Sequence, residues 1–214
     1  MKKLFTLILG ITLAYSCSTS SDGNTTETYE TVQIGNQTWM KKNLNVTKYR
    51  NGDVIPEVTD PTQWKNLTTG AWCYYNNSPA NGEVYGKLYN WYAVNDPRGL
   101  APVGYHIPSN TDWTNLIDFL GGQSITAGGP LKEAGTQHWT SPNTGATNST
   151  GFTGLPGGSR FYYNGTFQSI QEFCYFWSSS LTNSRQLVSS TNNFQGATSS
   201  FPKANGFSVR CVKD

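Results

Sequence analysis

The sequence predicts an α+β fold: a strand hairpin at the start of the domain, two helices after it, then several short strands joined by long loops. Three observations carry this expectation. Alternating residues flank a Gly-Asn turn at Gly35-Asn36, helical spacing appears in Tyr85–Val94 and again after Ser109, and beyond Gly122 that spacing gives way to short apolar runs broken by Gly, Asn and Ser.

The first element is an address. Lys2 and Lys3 precede the apolar run Leu4–Ala14, which is too short to span a bilayer and ends on Ser16 just before Cys17. Residues 1–16 therefore read as a lipoprotein signal, cut before Cys17, whose sulfur and new amine take lipid. Several acyl chains anchor a protein stably, and no transmembrane helix is needed. Residues 17–28 are Ser, Thr, Asp, Gly and Asn with little apolar content, a lipidated flexible tether. Residues 29–214 suit one domain, and no internal repeat stands out. The expected location is the cell envelope, on the outer membrane, at its periplasmic face or the cell surface.

The 214 residues carry 15 Lys and Arg against 13 Asp and Glu, and loss of Lys2 and Lys3 leaves the mature chain neutral. Such a chain has no counterion-release drive toward nucleic acid, which is excluded as a partner. Low charge with 7 Trp, 12 Tyr, 10 Phe and 22 Gly suits a loop-rich extracytoplasmic fold packed by aromatic bulk. With Cys17 lipidated, Cys73, Cys174 and Cys211 remain, which in an oxidising compartment suggests one disulfide and one buried thiol, the pair left open by spacing.

The elements follow in order. Thr31–Met40 alternates about Gly35-Asn36 as a hairpin, and Asn43–Thr69 is turn-rich coil. Tyr85, Leu88, Tyr89 and Tyr92 make an i, i+3, i+4, i+7 stripe on a helix over Tyr85–Val94, stopped by Asp96-Pro97, with the stripe in the core. The second helix has Ser109 as cap, Asp112 completing a capping box, Trp113, Leu116, Ile117 and Leu120 on its apolar face, and Gly121-Gly122 at its end. Strand-like runs follow at Phe152–Leu155, Arg160–Tyr163, Phe173–Ser179, Gln186–Ser189 and Phe207–Val212, with a hairpin turn at Asn164-Gly165.

The chain carries no H-E-x-x-H, C-x-x-C or G-x-S-x-G, so zinc hydrolysis, dithiol redox and nucleophile-elbow chemistry lack their signatures. His106 at a helix entrance reads as a backbone-bonded imidazole and His138 as a loop residue beside Trp139, and the acids are too scattered for a glycosidase pair. The surplus of aromatics in the later runs points to binding instead. Arg160, Phe161, Tyr162, Tyr163, Phe167, Tyr175 and Trp177 are the candidate ligand-binding residues, the exposed ones offering flat faces to sugar rings or anchors to a protein partner, while Trp177 and some of the others go to the core.

Five motifs then stand in one order: Cys73-Tyr74-Tyr75-Asn76-Asn77; Tyr85-Gly86-Lys87-Leu88-Tyr89-Asn90-Trp91; Gly104-Tyr105-His106-Ile107-Pro108-Ser109 with Asp112-Trp113; Phe176-Trp177-Ser178-Ser179-Ser180; and Gly206-Phe207-Ser208-Val209-Arg210-Cys211. Together they closely resemble the Fibrobacter succinogenes major paralogous domain family, secreted or lipid-anchored bacterial domains largely without an assigned activity. More distantly, Tyr105–Trp113 is similar to a helix start of formylglycine-generating enzymes and Gly206–Cys211 to their terminal strand. That likeness implies a C-type-lectin-like core: two helices packed on short, mainly antiparallel strands with long loops, and paired N- and C-terminal strands, Val209–Val212 beside Val32–Ile34. Cys73 and Cys211 lie in motifs typical of the paralogous domain, and the resemblance therefore implies that they form the disulfide.

The closely spaced cysteines of formylglycine-generating enzymes are missing, since Cys174 and Cys211 stand far apart. The expectation is thus a non-catalytic protein. Lectin-like kinship raises calcium, but the usual E-P-N, Q-P-D and W-N-D ligand strings are absent, leaving Asp53, Asp96 and nearby Asn oxygens for a structural ion and no other cofactor. The sequence-based reading is a membrane-anchored binder of glycan or another cell-envelope protein, touching the membrane through its lipid alone. The alternative is an accessory subunit of an outer-membrane assembly, and an enzyme comes third.

Overall fold

The computed structural model describes residues 28–122, 124–180, 183–196 and 200–214. The signal segment, Cys17 and residues 17–27 of the tether lie outside the described residues. No helix among the described residues is long and apolar enough to cross a membrane.

Strands β1 (Thr31–Ile34) and β2 (Gln37–Met40) form the expected antiparallel hairpin, turning at Gly35, which takes a φ of +61°. Helix α1 (Pro61–Lys65) starts on proline behind Asp60, whose carboxylate caps Gln63 N–H, and it buries Trp64. Strand β3 (Trp72–Cys73), helix α2 (Pro79–Tyr85), strand β4 (Leu88–Tyr89) and helix α3 (Trp91–Val94) follow, β3 pairing with β4.

Here the sequence-based helix over Tyr85–Val94 is corrected. Gly86, at φ +74°, ends α2; the chain then extends through Leu88-Tyr89, and Asn90 starts a new turn by capping Ala93 N–H. A Cβ on Gly86 would sit 3.0 Å from the Leu44 carbonyl oxygen, so neither that φ nor that approach suits another residue. The stripe is core nonetheless: Tyr85, Leu88 and Tyr89 are buried, while Tyr92 is half-buried.

After β5 (Tyr105–His106) comes α4 (Asn110–Phe119), the longest helix described. Its capping box is complete: Ser109 Oγ accepts from Asp112 N–H at 3.2 Å and the Asp112 carboxylate accepts from Ser109 N–H at 2.8 Å. Trp113, Leu116 and Ile117 are buried as the apolar face. A short α5 (Gly128–Leu131) precedes β6 (Gly157–Arg160), β7 (Phe167–Ile170), β8 (Phe173–Trp177), β9 (Ser184–Val188), β10 (Phe194–Gly196) and β11 (Val212–Lys213).

The result is a mixed α+β architecture with mostly antiparallel sheets and few helices. One sheet runs β1-β2-β11-β5, a second runs β10-β9-β8-β6-β7, and β3-β4 form a small third. The β6-β8 contact is the parallel exception. The C-terminal strand does reach the N-terminal sheet, but Val212 pairs with Trp39 of β2 and His106 of β5 rather than with β1, which is the outer strand.

Candidate functional site

Strand alternation sorts the predicted aromatics. Along β8, Cys174 and Phe176 face one side and are buried, whereas Phe173 and Tyr175 on the other are half-buried and stack in parallel at 5.6 Å. Tyr175 stacks in turn on Phe207 at 4.8 Å, and Phe201 meets Phe207 edge-on at 5.2 Å. Trp91 N–H donates to the Lys203 carbonyl, and Lys203 Nζ lies 5.1 Å from the Trp91 ring. Asn205 Oδ1 accepts from Tyr162 N–H in the β6-β7 hairpin, where the Tyr162 ring meets those of Phe161 and Tyr163 edge-on. Residues Phe201–Asn205 thus link two aromatic groups into one band, with Tyr163 as its most exposed member at 73 %.

Two of the candidate residues are buried: Arg160, which is corrected, and Trp177, which goes to the core as expected. Arg160 is fully buried: its guanidinium donates to the carbonyls of Gly165, Val58 and Thr59 and lies over the rings of Trp64 and Phe167 at 4.5 and 4.9 Å. It fastens the hairpin to the segment before α1. Gly165, at φ +69°, seats the turn against Pro61, whose carbonyl oxygen a Cβ would meet at 2.4 Å. Trp177 is buried too, donating from Nε1 to the Tyr89 carbonyl at 2.8 Å. Phe167 is half-buried against Tyr75. Phe161, Tyr162, Tyr163 and Tyr175 stay at the surface in whole or part.

The implied Cys73–Cys211 disulfide is corrected as well. Cys73, Cys174 and Cys211 are three free, buried thiols, each in a different apolar cluster, with no pair brought together. Burial pushes each up to about 12, so they stay protonated and unreactive in the folded state.

Asp53 and Asp96, the candidate calcium oxygens, flank the Arg98 guanidinium, which reaches Asp53 at 3.1 Å and Asp96 at 2.8 Å. Arg98 supplies the positive charge that an ion would bring there, and its hydrogen bonds hold Asp96 at about 2. No group of three or more His, Cys, Asp or Glu among the described residues is placed to hold a metal. His106 does not bond backbone; its Nδ1 meets Asp214 Oδ1 at 2.8 Å and its Nε2 lies 3.4 Å from Asp112. His138 pairs with Glu133 at 2.8 Å.

Sequence reasoning missed two features. Buried cations act as internal clasps: Arg210 donates to Asn43 Oδ1 and to the Met40 and Phe152 carbonyls, and Lys132 Nζ donates to the carbonyls of Thr144, Val188 and Thr191. Burial lowers Arg210 to about 10 and Lys132 to about 8. The second is a groove of about 900 Å³, lined by Thr28–Glu30, Met40, Lys42–Arg50 and Leu100–Val103. Three segments distant in sequence build it, so no local motif marks it.

Neither the curated proteins nor the solved structures yield a match to this chain. A family model does match: the Fibrobacter succinogenes major domain, over residues 32–213, which takes in every strand and helix described except the first residue of β1. The chain therefore belongs to the Fibrobacter succinogenes major domain family.

Proposed function

We propose that this protein is a non-catalytic binding lipoprotein of the cell envelope, fastened to the outer membrane through Cys17, whose C-type-lectin-like domain holds glycan against its aromatic band. The band is the observation that carries the reading. Its hairpin is clamped from beneath by Arg160 and its Tyr175 edge is stacked on Phe207, so partly exposed rings are held in fixed positions. Preset aromatic faces suit the apolar faces of sugar rings, because little side-chain freedom is lost on binding. Support for the lectin-like core comes from β11 lying in the same sheet as β1 and β2, which brings the two ends of the domain together.

The test uses a built-in reporter. Of 7 tryptophans, Trp39, Trp64, Trp72, Trp113, Trp139 and Trp177 are buried, and Trp91 alone is half-buried, within the band. Titration with neutral polysaccharides should shift tryptophan fluorescence, and Trp91→Phe should abolish the shift while retention on a polysaccharide column persists. A silent titration, with a fixed protein partner co-purifying from detergent extract, would instead favour the accessory-subunit alternative. Anchoring has its own check: Cys17→Ser should release the protein from membranes, and an unchanged membrane fraction refutes lipidation.

A further inference from the structure

We propose that the groove beside the domain's entry point is a second binding site, distinct from the aromatic band, that takes a carboxylated saccharide of the uronic-acid class, with Lys42 and Lys48 holding its carboxylates.

The argument starts from the backbone of the groove wall. Four consecutive carbonyls are already engaged by the chain's own donors: Leu44 by Lys87 N–H, Asn45 by Lys87 Nζ, Val46 by Tyr89 Oη and Thr47 by Ile55 N–H, at 3.2, 2.9, 2.7 and 2.8 Å. Asn45 Oδ1 also accepts from Lys87 Nζ, at 2.6 Å. The N–H groups of Leu44, Tyr49 and Arg50 are likewise spent, on the carbonyls of Val209, Asp53 and Gly99, so the backbone of this wall is largely satisfied from within and the charge of the groove is set by its side chains. Those side chains favour a negative ligand. Lys42 and Lys48 are exposed on the lining and, among the described residues, neither is paired with a carboxylate, while Glu30 is the single acid on the lining. Arg50 adds charge but is committed, donating to the carbonyls of Ala101, Pro102 and Tyr105.

The groove's shape and floor favour a saccharide. Its volume of about 900 Å³ lies within the range of small-ligand clefts. Met40, Leu44 and Leu100 give a buried apolar base, and Tyr29, held edge-on to Tyr105 at 5.5 Å, gives an aromatic side. A sugar acid combines an apolar ring face with a carboxylate and hydroxyls. An extended acidic peptide would need backbone acceptors from a sheet edge, which this wall has already used internally.

The experiment is calorimetric titration of the full chain in detergent with oligogalacturonate, beside the same oligomer after carboxyl reduction and beside poly-glutamate of equal charge. The acidic sugar should bind, the reduced one should not, and binding should weaken as salt rises from about 0.05 to about 0.5 M. Lys42→Ala with Lys48→Ala should weaken it about tenfold or more, whereas Lys65→Ala, at the end of α1 and off the groove, should leave it unchanged. Trp91 fluorescence should stay silent throughout, separating this site from the band. Equal binding of the reduced oligomer or of poly-glutamate overturns the assignment, as does full affinity in the double variant with its melting temperature intact.

Discussion

The hairpin Arg160–Phe167 and the groove segment Lys42–Arg50 use the same residue types in opposite senses. In the hairpin the cation points inward and the rings outward: Arg160 is buried on three carbonyls while Tyr163 is 73 % exposed. In the groove segment the ring points inward and the cations outward: Tyr49 is buried beneath Arg98, while Lys42 and Lys48 are exposed. What decides is whether the nearby carbonyls already have donors. Around the hairpin, the Val58, Thr59 and Gly165 carbonyls gather where only a guanidinium fork reaches all of them, and in the groove segment Lys87, Tyr89 and Ile55 already serve the carbonyls from within. A cation goes inside where acceptors converge, as Arg160 does and as Lys87 does behind the groove wall, and Lys42 and Lys48 stay outside because those acceptors have been met.

The largest effect expected from this contrast is at Arg160. Arg160→Met takes the donor from three carbonyls, and those of Val58 and Gly165 are buried and left unpaired at ~1 kcal/mol or more each, so chemical denaturation should show a loss of about 2 kcal/mol or more. Arg160→Lys should recover only part of that, because one ammonium lacks the planar fork. An undiminished midpoint in Arg160→Met would break the comparison at its root.

Lys132→Met should cost less. It takes the donor from three carbonyls as well, but it also removes a cation that burial disfavours, and the two partly offset. Thermal melts of the two variants side by side would rank them, and a larger drop for Lys132→Met would reverse the order.

The third test sharpens the outer pole through pH. Arg98 holds the folded Asp96 at about 2, below the ordinary carboxylate value of about 4. The folded form therefore binds fewer protons than the unfolded one across that window. Its stabilisation is present above about pH 4 and lost as pH falls toward 2. Asp96→Asn should flatten this part of the stability profile, and an unchanged slope would place the acid sensitivity elsewhere.

The smallest effect on stability is at the rim. Tyr163→Ala should shift stability by less than about 0.5 kcal/mol while weakening retention on polysaccharide, and a large melting shift would mean that the hairpin tip carries structural weight. The thiols admit a direct check of the corrected disulfide. Cys73, Cys174 and Cys211 should resist alkylation in the folded protein and all react after denaturation, and an intact mass two hydrogen atoms short would restore the bridge.

Much of the scaffold was legible because its signals are local. The Gly35-Asn36 turn, the Ser109–Asp112 box and the Asn164-Gly165 hairpin each depend on a few adjacent residues, and each appears in place. The stripe across Tyr85–Val94 misled because its spacing is met equally by a helix end, a short strand and a new turn that happen to bury the same side chains, and one glycine decides between them. Among the candidate residues, alternation alone left the hairpin undecided between core and surface, and the structure divides it, burying Arg160 and leaving Tyr163 exposed. A lone arginine reads as solvated until the carbonyls that surround it, about a hundred positions away for Val58 and Thr59, are known. The groove escaped notice for the same reason of distance.

The place of β11 has a consequence for how the domain closes. It lies between β2 and β5, and Arg210 just before it clasps Asn43, Met40 and Phe152. The hairpin of β1 and β2 thus gains its second flank only from a segment about 170 positions further along the chain. Pairing over such a span pays its loop-closure entropy before any contact rewards it, so this sheet sets the slow step of folding.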